Sequence, residues 1–236
     1  MKSLIFAFVL IALLGPRALG QQGNAPLKRG TWSSAAWDIN MRPVRIFAPD
    51  DHTVFVEVPK YNADGDSTPD IFVEQDGNRL PGQITVDVDP EMAWSPDSKA
   101  FFITSSDGGA VGTFGTIVYL VEDGKVRSVD ITKQVRDDIA ARYPACVAYK
   151  GIQSCTLAEQ HRMARNHDWV NVAGMKWLKG STELLVVGNV PDSSGYGANM
   201  TEWMGYRIEI PSGKILERYT ANEFRKKWNE LKPDWN

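Results

Sequence analysis

MAWSPDSKAFFITSSDGGAVGTFGTIVYLVEDGKVRSV, Met92 to Val129, is the stretch whose reading decides the fold. Ser95-Pro96-Asp97-Ser98-Lys99 is a turn, because proline fixes φ for a tight reversal and a short Asp side chain bonds its own backbone. Ala100 to Thr104 follows as a continuous apolar, β-favouring run, and Thr116 to Val121 as another, joined by a glycine-rich connection. Asp123-Gly124-Lys125 then turns the chain into a short closing strand. The whole reads as one antiparallel meander.

The meander recurs. Phe47-Ala48-Pro49-Asp50-Asp51 precedes Trp94-Ser95-Pro96-Asp97-Ser98 by 47 residues, and Asp76-Gly77 precedes Asp123-Gly124 by the same 47. Two landmarks displaced equally are the signature of a repeat. A third, looser copy carries Trp177-Leu178-Lys179-Gly180-Ser181, 83 residues after Trp94, and a Ser212-Gly213-Lys214 turn 89 residues after Asp123-Gly124-Lys125. Val54, Val56 and Val58 alternate with Phe55 and Glu57, Leu184 to Val187 is a buried run, and Tyr206, Ile208 and Ile210 alternate with Arg207 and Glu209. The repeats span about 44–80, 84–129 and 173–219, and the fold class they define is all-β.

Between the second and third copies, 130–172 changes character. Ile131, Val135 and Ile139 recur every fourth residue until Pro144, which predicts a helix. Thr156 and Glu159 form a capping box opening a second helix, Leu157 to about Asn166, so that 131–166 reads as an inserted helical hairpin. Phe224, Trp228 and Leu231 lie on one face of a C-terminal helix over 220–231, suited to cover a sheet.

WSPDSKAFFIT and its twin FAPDDHTVFVE resemble the WSPDGK-type repeat of TolB-like β-propellers, over roughly 120 residues. Trp94, Pro96, Asp97 and Lys99 match that pattern, Ser98 stands where the family has glycine, and the third copy keeps only Trp177. The resemblance implies a propeller-like array of about three to four antiparallel blades, with the Trp packed between blades. It implies no activity, because propellers host unrelated functions. Closure takes four to eight blades. Either Thr31 to Val44, which contains Trp32 and Trp37, supplies a degenerate fourth blade, or the array is open and its edges need cover from the two helical segments or a second subunit.

Residues 1–20 read as a secretory signal peptide: Lys2, an apolar run from Leu4 to Leu14, and a small-residue cleavage site at Ala18-Leu19-Gly20. A polar lead-in over 21–30 precedes a single domain, 31–236, expected to be secreted or periplasmic. In an oxidising compartment Cys146 and Cys155 are expected to form a disulfide stapling the helical insertion. The formal charge of −3, carried without basic clusters, argues against nucleic acid or an anionic membrane as partners.

Three polar constellations could carry chemistry. Asn62 to Asp70 offers Asp64, Asp66 and Asp70 as oxygen ligands for Ca²⁺, but Gly65 and Val73 are misplaced for an EF-type loop, which favours a plain polar turn and no cofactor. His161, His167 and Asp168 could share a metal or a proton, although the histidines are not spaced for one helix face and Arg162 and Arg165 oppose a cation. Asp107 to Gly115 is glycine-rich but precedes a strand, so it lacks the helix N-terminus of a phosphate cradle.

The remaining signal is positional. The loops at Tyr61 to Pro69, Asp107 to Gly115 and Pro191 to Glu202 occupy equivalent places in the three repeats, which puts them on one face. Tyr61, Asp66, Asp107, Tyr196, Asn199, Glu202 and Trp203 mix aromatic and polar groups suited to a sugar or peptide. The expectation is an exported, non-catalytic module binding a protein or glycan there, with homodimerisation open. The alternative is a small hydrolase using Asp66, Asp107 and Glu202, which needs two carboxyls at glycosidase spacing.

Overall fold

A computed structural model of the chain describes residues 44–60, 69–108, 113–142, 170–189, 203–229 and 231. Twelve strands form three four-stranded sheets, each an antiparallel meander in sequence order. The first contains β1 (Val44–Phe47), β2 (Thr53–Val58), β3 (Asp70–Gln75) and β4 (Asn78–Arg79). The second contains β5 (Val88–Trp94), β6 (Ala100–Ser106), β7 (Phe114–Glu122) and β8 (Lys125–Asp130). The third contains β9 (Asn171–Lys179), β10 (Glu183–Asn189), β11 (Met204–Glu209) and β12 (Ile215–Thr220). The fold is all-β, with blade-like sheets arranged as in a propeller.

Strand alternation explains how the sheets stack. On β6, Phe101 and Ile103 face the first sheet, in one core with Phe55, Val73 and Trp94. Ala100 and Phe102 face the opposite way, into a second core with Leu184, Val186 and Trp177 of the third sheet. Phe101 stacks on Tyr119 at 5.0 Å and meets Phe55 edge-on at 5.7 Å, filling the first seam with rings.

The repeated tryptophan does the same job twice. Trp94 Nε1 donates to the Ile46 carbonyl of the first sheet at 3.0 Å. Trp177 Nε1 donates to the Ala93 carbonyl of the second at 3.0 Å. Each acceptor immediately precedes the aromatic of its own repeat. The turns below are also linked: Asp50 N donates to Ser98 Oγ, and Ser181 N and Oγ donate to Asp97 Oδ2. The corners at Pro49, Pro96 and Lys179 therefore align at one end of the stack.

Turn chemistry follows the sequence. Asp76-Gly77 and Asp123-Gly124 are two-residue hairpin turns with φ of +50/+78 and +51/+69, the left-handed pair that Asp-Gly accommodates. Ser98, standing in the glycine position, is indeed left-handed at φ +61.

The links from one sheet's outer strand to the next sheet's inner strand fill the wedges between sheets. Residues 80–87 lie between the first two, contributing Leu80 and Ile84 to the core, with Tyr119 Oη donating to Thr85 O and accepting from Thr85 N. The second link begins with helix α1 (Thr132–Arg142), which buries Ile131, Val135 and Ile139 in the second seam. This departs from the expectation that the insertion covers an outer edge: its first helix is internal. Ile139 and Val135 press on Gly188, where a Cβ would lie 2.6 and 2.9 Å from them. The second expected helix and Cys146 and Cys155 fall outside the described residues.

Helix α2 (Ala221–Lys227) closes the far side. It is shorter than the 220–231 expected from periodicity: Trp228 leaves helical geometry at φ −136, ψ 61 and caps the helix. Pro233, just beyond, is incompatible with a continuing helix. Phe224, Trp228 and Leu231 nonetheless share one buried cluster with Met175, Leu185 and Val187, so the apolar face is as expected even where the helix is not. Thr220 and Glu223 form a reciprocal capping box.

Candidate functional site

With the corners aligned at one end, the β2–β3, β6–β7 and β10–β11 connections leave the stack from the other. They run over 59–69, 107–113 and 190–203. Of the residues singled out on them, Tyr61, Asp66, Tyr196, Asn199 and Glu202 lie outside the described residues, as do Asp64, His161, His167 and Asp168.

Asp107 is described, and its carboxylate is engaged within its own loop. Oδ1 accepts from Thr113 N and Oδ2 from Thr113 Oγ1, both at 2.8 Å, while Asp107 N donates to Thr113 O. The acid closes the mouth of the glycine-rich loop. Trp203 sits at the base of the third loop, only 8% exposed, its ring edge-on to Phe224 at 4.9 Å with the Arg225 guanidinium 5.3 Å from its centre. It anchors α2 to the third sheet.

Asp70, at the start of β3, is held by Arg79 through two hydrogen bonds of 2.8 and 2.9 Å and by Lys60 at 3.1 Å. The Arg79 and Lys60 hydrogen bonds hold its carboxyl down at about 2. Both oxygens thus face cations of the protein. Among the described residues no three His, Cys, Asp or Glu side chains gather as metal ligands.

Two strand carboxyls not marked by loop position are pushed up by burial. Glu57, on β2, shares the face of Phe55 that looks toward the second sheet. It is 1% exposed, its Oε2 has no partner, and burial pushes its pKa up. Glu91, on the inner strand β5 opposite Thr104, has an unpartnered buried Oε1 and is pushed up by burial to about 8. Glu91 shares the face of Ala93, toward the third sheet, so the two acids lie in different seams. The sequence held a signal for Glu57, a lone acid in phase with Phe55 within TVFVEV; nothing comparable marks Glu91 in VDPEMAW.

Next to Glu91 the second seam carries a polar knot. Thr104 Oγ1 and Thr116 Oγ1 lie 2.8 Å apart, Gly174 N donates to both, and Thr116 Oγ1 donates to Val172 O at 2.8 Å. Thr132 Oγ1 accepts from Thr116 N, and Phe114 N donates to Asn171 Oδ1 at the loop end. These bonds satisfy the inner strands where they pass close. Glu91, directly across the strand pair from Thr104, leaves its Oε1 outside these bonds.

The chain matches no family model, no curated protein and no solved structure.

Proposed function

We propose that this chain is an exported binding or scaffolding module of TolB-like propeller type, which engages a protein or glycan through the loops 59–69, 107–113 and 190–203. The observation that carries the reading is the shared exit of these loops, opposite corners that are themselves joined sheet to sheet. Loops raised on a rigid stack are where recognition residues concentrate. Tyr61, Tyr196 and Asn199 supply the aromatic and amide groups a sugar or peptide needs. The leader-like residues 1–20 fit a secreted or periplasmic location, and Cys146 and Cys155 a disulfide formed there.

The test is binding of the mature chain to glycan and peptide arrays, repeated with Tyr61→Ala, Tyr196→Ala and Asn199→Ala. At least one variant is expected to lose tenfold or more in affinity at unchanged Tm. Retention of binding by all three sinks the reading. A second reading, a small hydrolase, is favoured by one observation: a carboxyl titrating at about 8 is protonated at neutral pH, as a general acid requires. Turnover of a glycan or peptide substrate that disappears in Glu91→Gln would establish it in place of the binder.

A further inference from the structure

The two ends of the stack are finished differently. Beyond the third sheet, α2 covers Leu185 and Val187. The rest of that face is a charged lattice in which Arg207 bridges Glu183 at 2.8 Å and Glu217 at 2.7 Å, with Lys179 also on Glu183. Among the described residues, helix and ion pairs leave no apolar strip on this face for another sheet.

The outward face of the first sheet is built from Arg45 and Phe47 on β1, Val54 and Val56 on β2, and Phe72 and Glu74 on β3, in register. Arg45 Nη2 reaches Glu74 Oε2 at 2.6 Å diagonally across β2, and Val54 and Val56 between them are buried. Arg79 lies 4.2 Å over the Phe72 ring. Phe47 is left 53% exposed, and it is the one large hydrophobic side chain so placed among the described residues. Its counterparts, Trp94 and Trp177, are each seated on the inner strand of a preceding sheet. Phe47 thus occupies the inter-sheet position, and among the described residues no sheet stacks on it.

We infer that the occupant is this chain's own residues 31–43, which pack Trp32 or Trp37 against Phe47 and so seal the first sheet. That segment runs directly into β1, so folding it back on the face closes only a short loop, whose entropic cost is small. It contributes two indoles within six residues, the side chain that fills both described seams. It is also too short for a four-stranded sheet, since the described ones occupy 36 residues or more. The inference is therefore a strap. It is independent of the loop-face reading.

The test places p-benzoylphenylalanine at position 47 of the mature chain and maps photo-crosslinks by mass spectrometry. Crosslinks within one chain to residues 31–43 are expected. Crosslinks between chains, which would identify a second copy as the occupant, or none to that segment, overturn the inference. Hydrogen exchange gives a second reading. The double variant Trp32→Ala with Trp37→Ala should speed exchange of β1 and β2 amides at least tenfold and leave β9 to β12 unchanged. Unaltered exchange in β1 and β2 also overturns it.

Discussion

Glu91 offers the most direct test of how these sheets treat a charge. An ordinary glutamate titrates at 4.5; burial between inner strands, with no cation opposite, lifts this one to about 8. Between those values the folded state holds a proton that the unfolded state releases. Stability therefore falls as pH rises through that window and levels off above it. Each pH unit between the two values corresponds to about 1.4 kcal/mol, a ceiling of about 5 kcal/mol. Glu91 keeps some contact with water, and screening and relaxation reduce the effect to on the order of 2 kcal/mol. Glu91→Gln removes the titration while preserving shape. The variant should match the parent near pH 5 and exceed it at pH 9 by about 2 kcal/mol, or roughly 4 to 8 °C in Tm for a chain of this size. Urea unfolding of both proteins across that range is the assay, and other titrating groups cancel in the difference. A gap between parent and variant that is constant from pH 5 to 9 would refute the reading that Glu91 Oε1 is buried without a partner.

Trp94→Phe and Trp177→Phe should each lower stability by about 1 to 3 kcal/mol, since each strands a backbone carbonyl at a sheet seam; equal midpoints for parent and variants in urea would contradict the seam bonds. Gly174→Ala should cost about 1 to 3 kcal/mol or more, because its Cβ would stand 2.6 Å from the Phe102 ring; an unchanged Tm would mean the seam is looser than described. Thr220→Ala removes the capping box and should cost about 1 kcal/mol, with faster amide exchange confined to α2; no change there would argue against the cap.

The repeat was legible because its signals are local. Asp-Gly at a fixed interval demands the same left-handed turn twice, and Pro-Asp before an apolar run demands the same corner. The third copy was harder to align because its chemistry is displaced. Gly180 takes the positive φ one residue earlier than Ser98 does, and β9 and β10 carry register shifts that blur the alternation. The helix boundaries failed differently. Periodicity marked Phe224, Trp228 and Leu231 as one buried set, which they are, but burial of a residue does not require it to be helical. The site residues were the least legible. Trp203 has the composition of a binding aromatic, yet the ring is turned inward by α2, an element close in sequence whose docking depends on tertiary packing. Glu91 could not be picked out at all, because its state follows from burial set by the packing of neighbouring strands.

The asymmetry between the two ends of the stack is the strongest reason to look for recognition at the loops. At the corner end the connections are short: two residues at 76–77 and 123–124, three at 180–182, and five at 48–52, 95–99 and 210–214. They are also tied to the next sheet through Ser98 and Ser181. At the opposite end the connections run to eleven, seven and fourteen residues. A repeat that needed only stability would keep both ends short, since ordering a longer loop opposes folding and most connections in compact domains are shorter. The stacked sheets provide fixed exits: Asp107 closes the base of one loop on Thr113, and Trp203 packs the base of another on α2. Residues at the tips can then vary without loosening the seams. If the loops bind as proposed, substitutions at their bases are expected to destabilise the stack and those at their tips to alter binding alone.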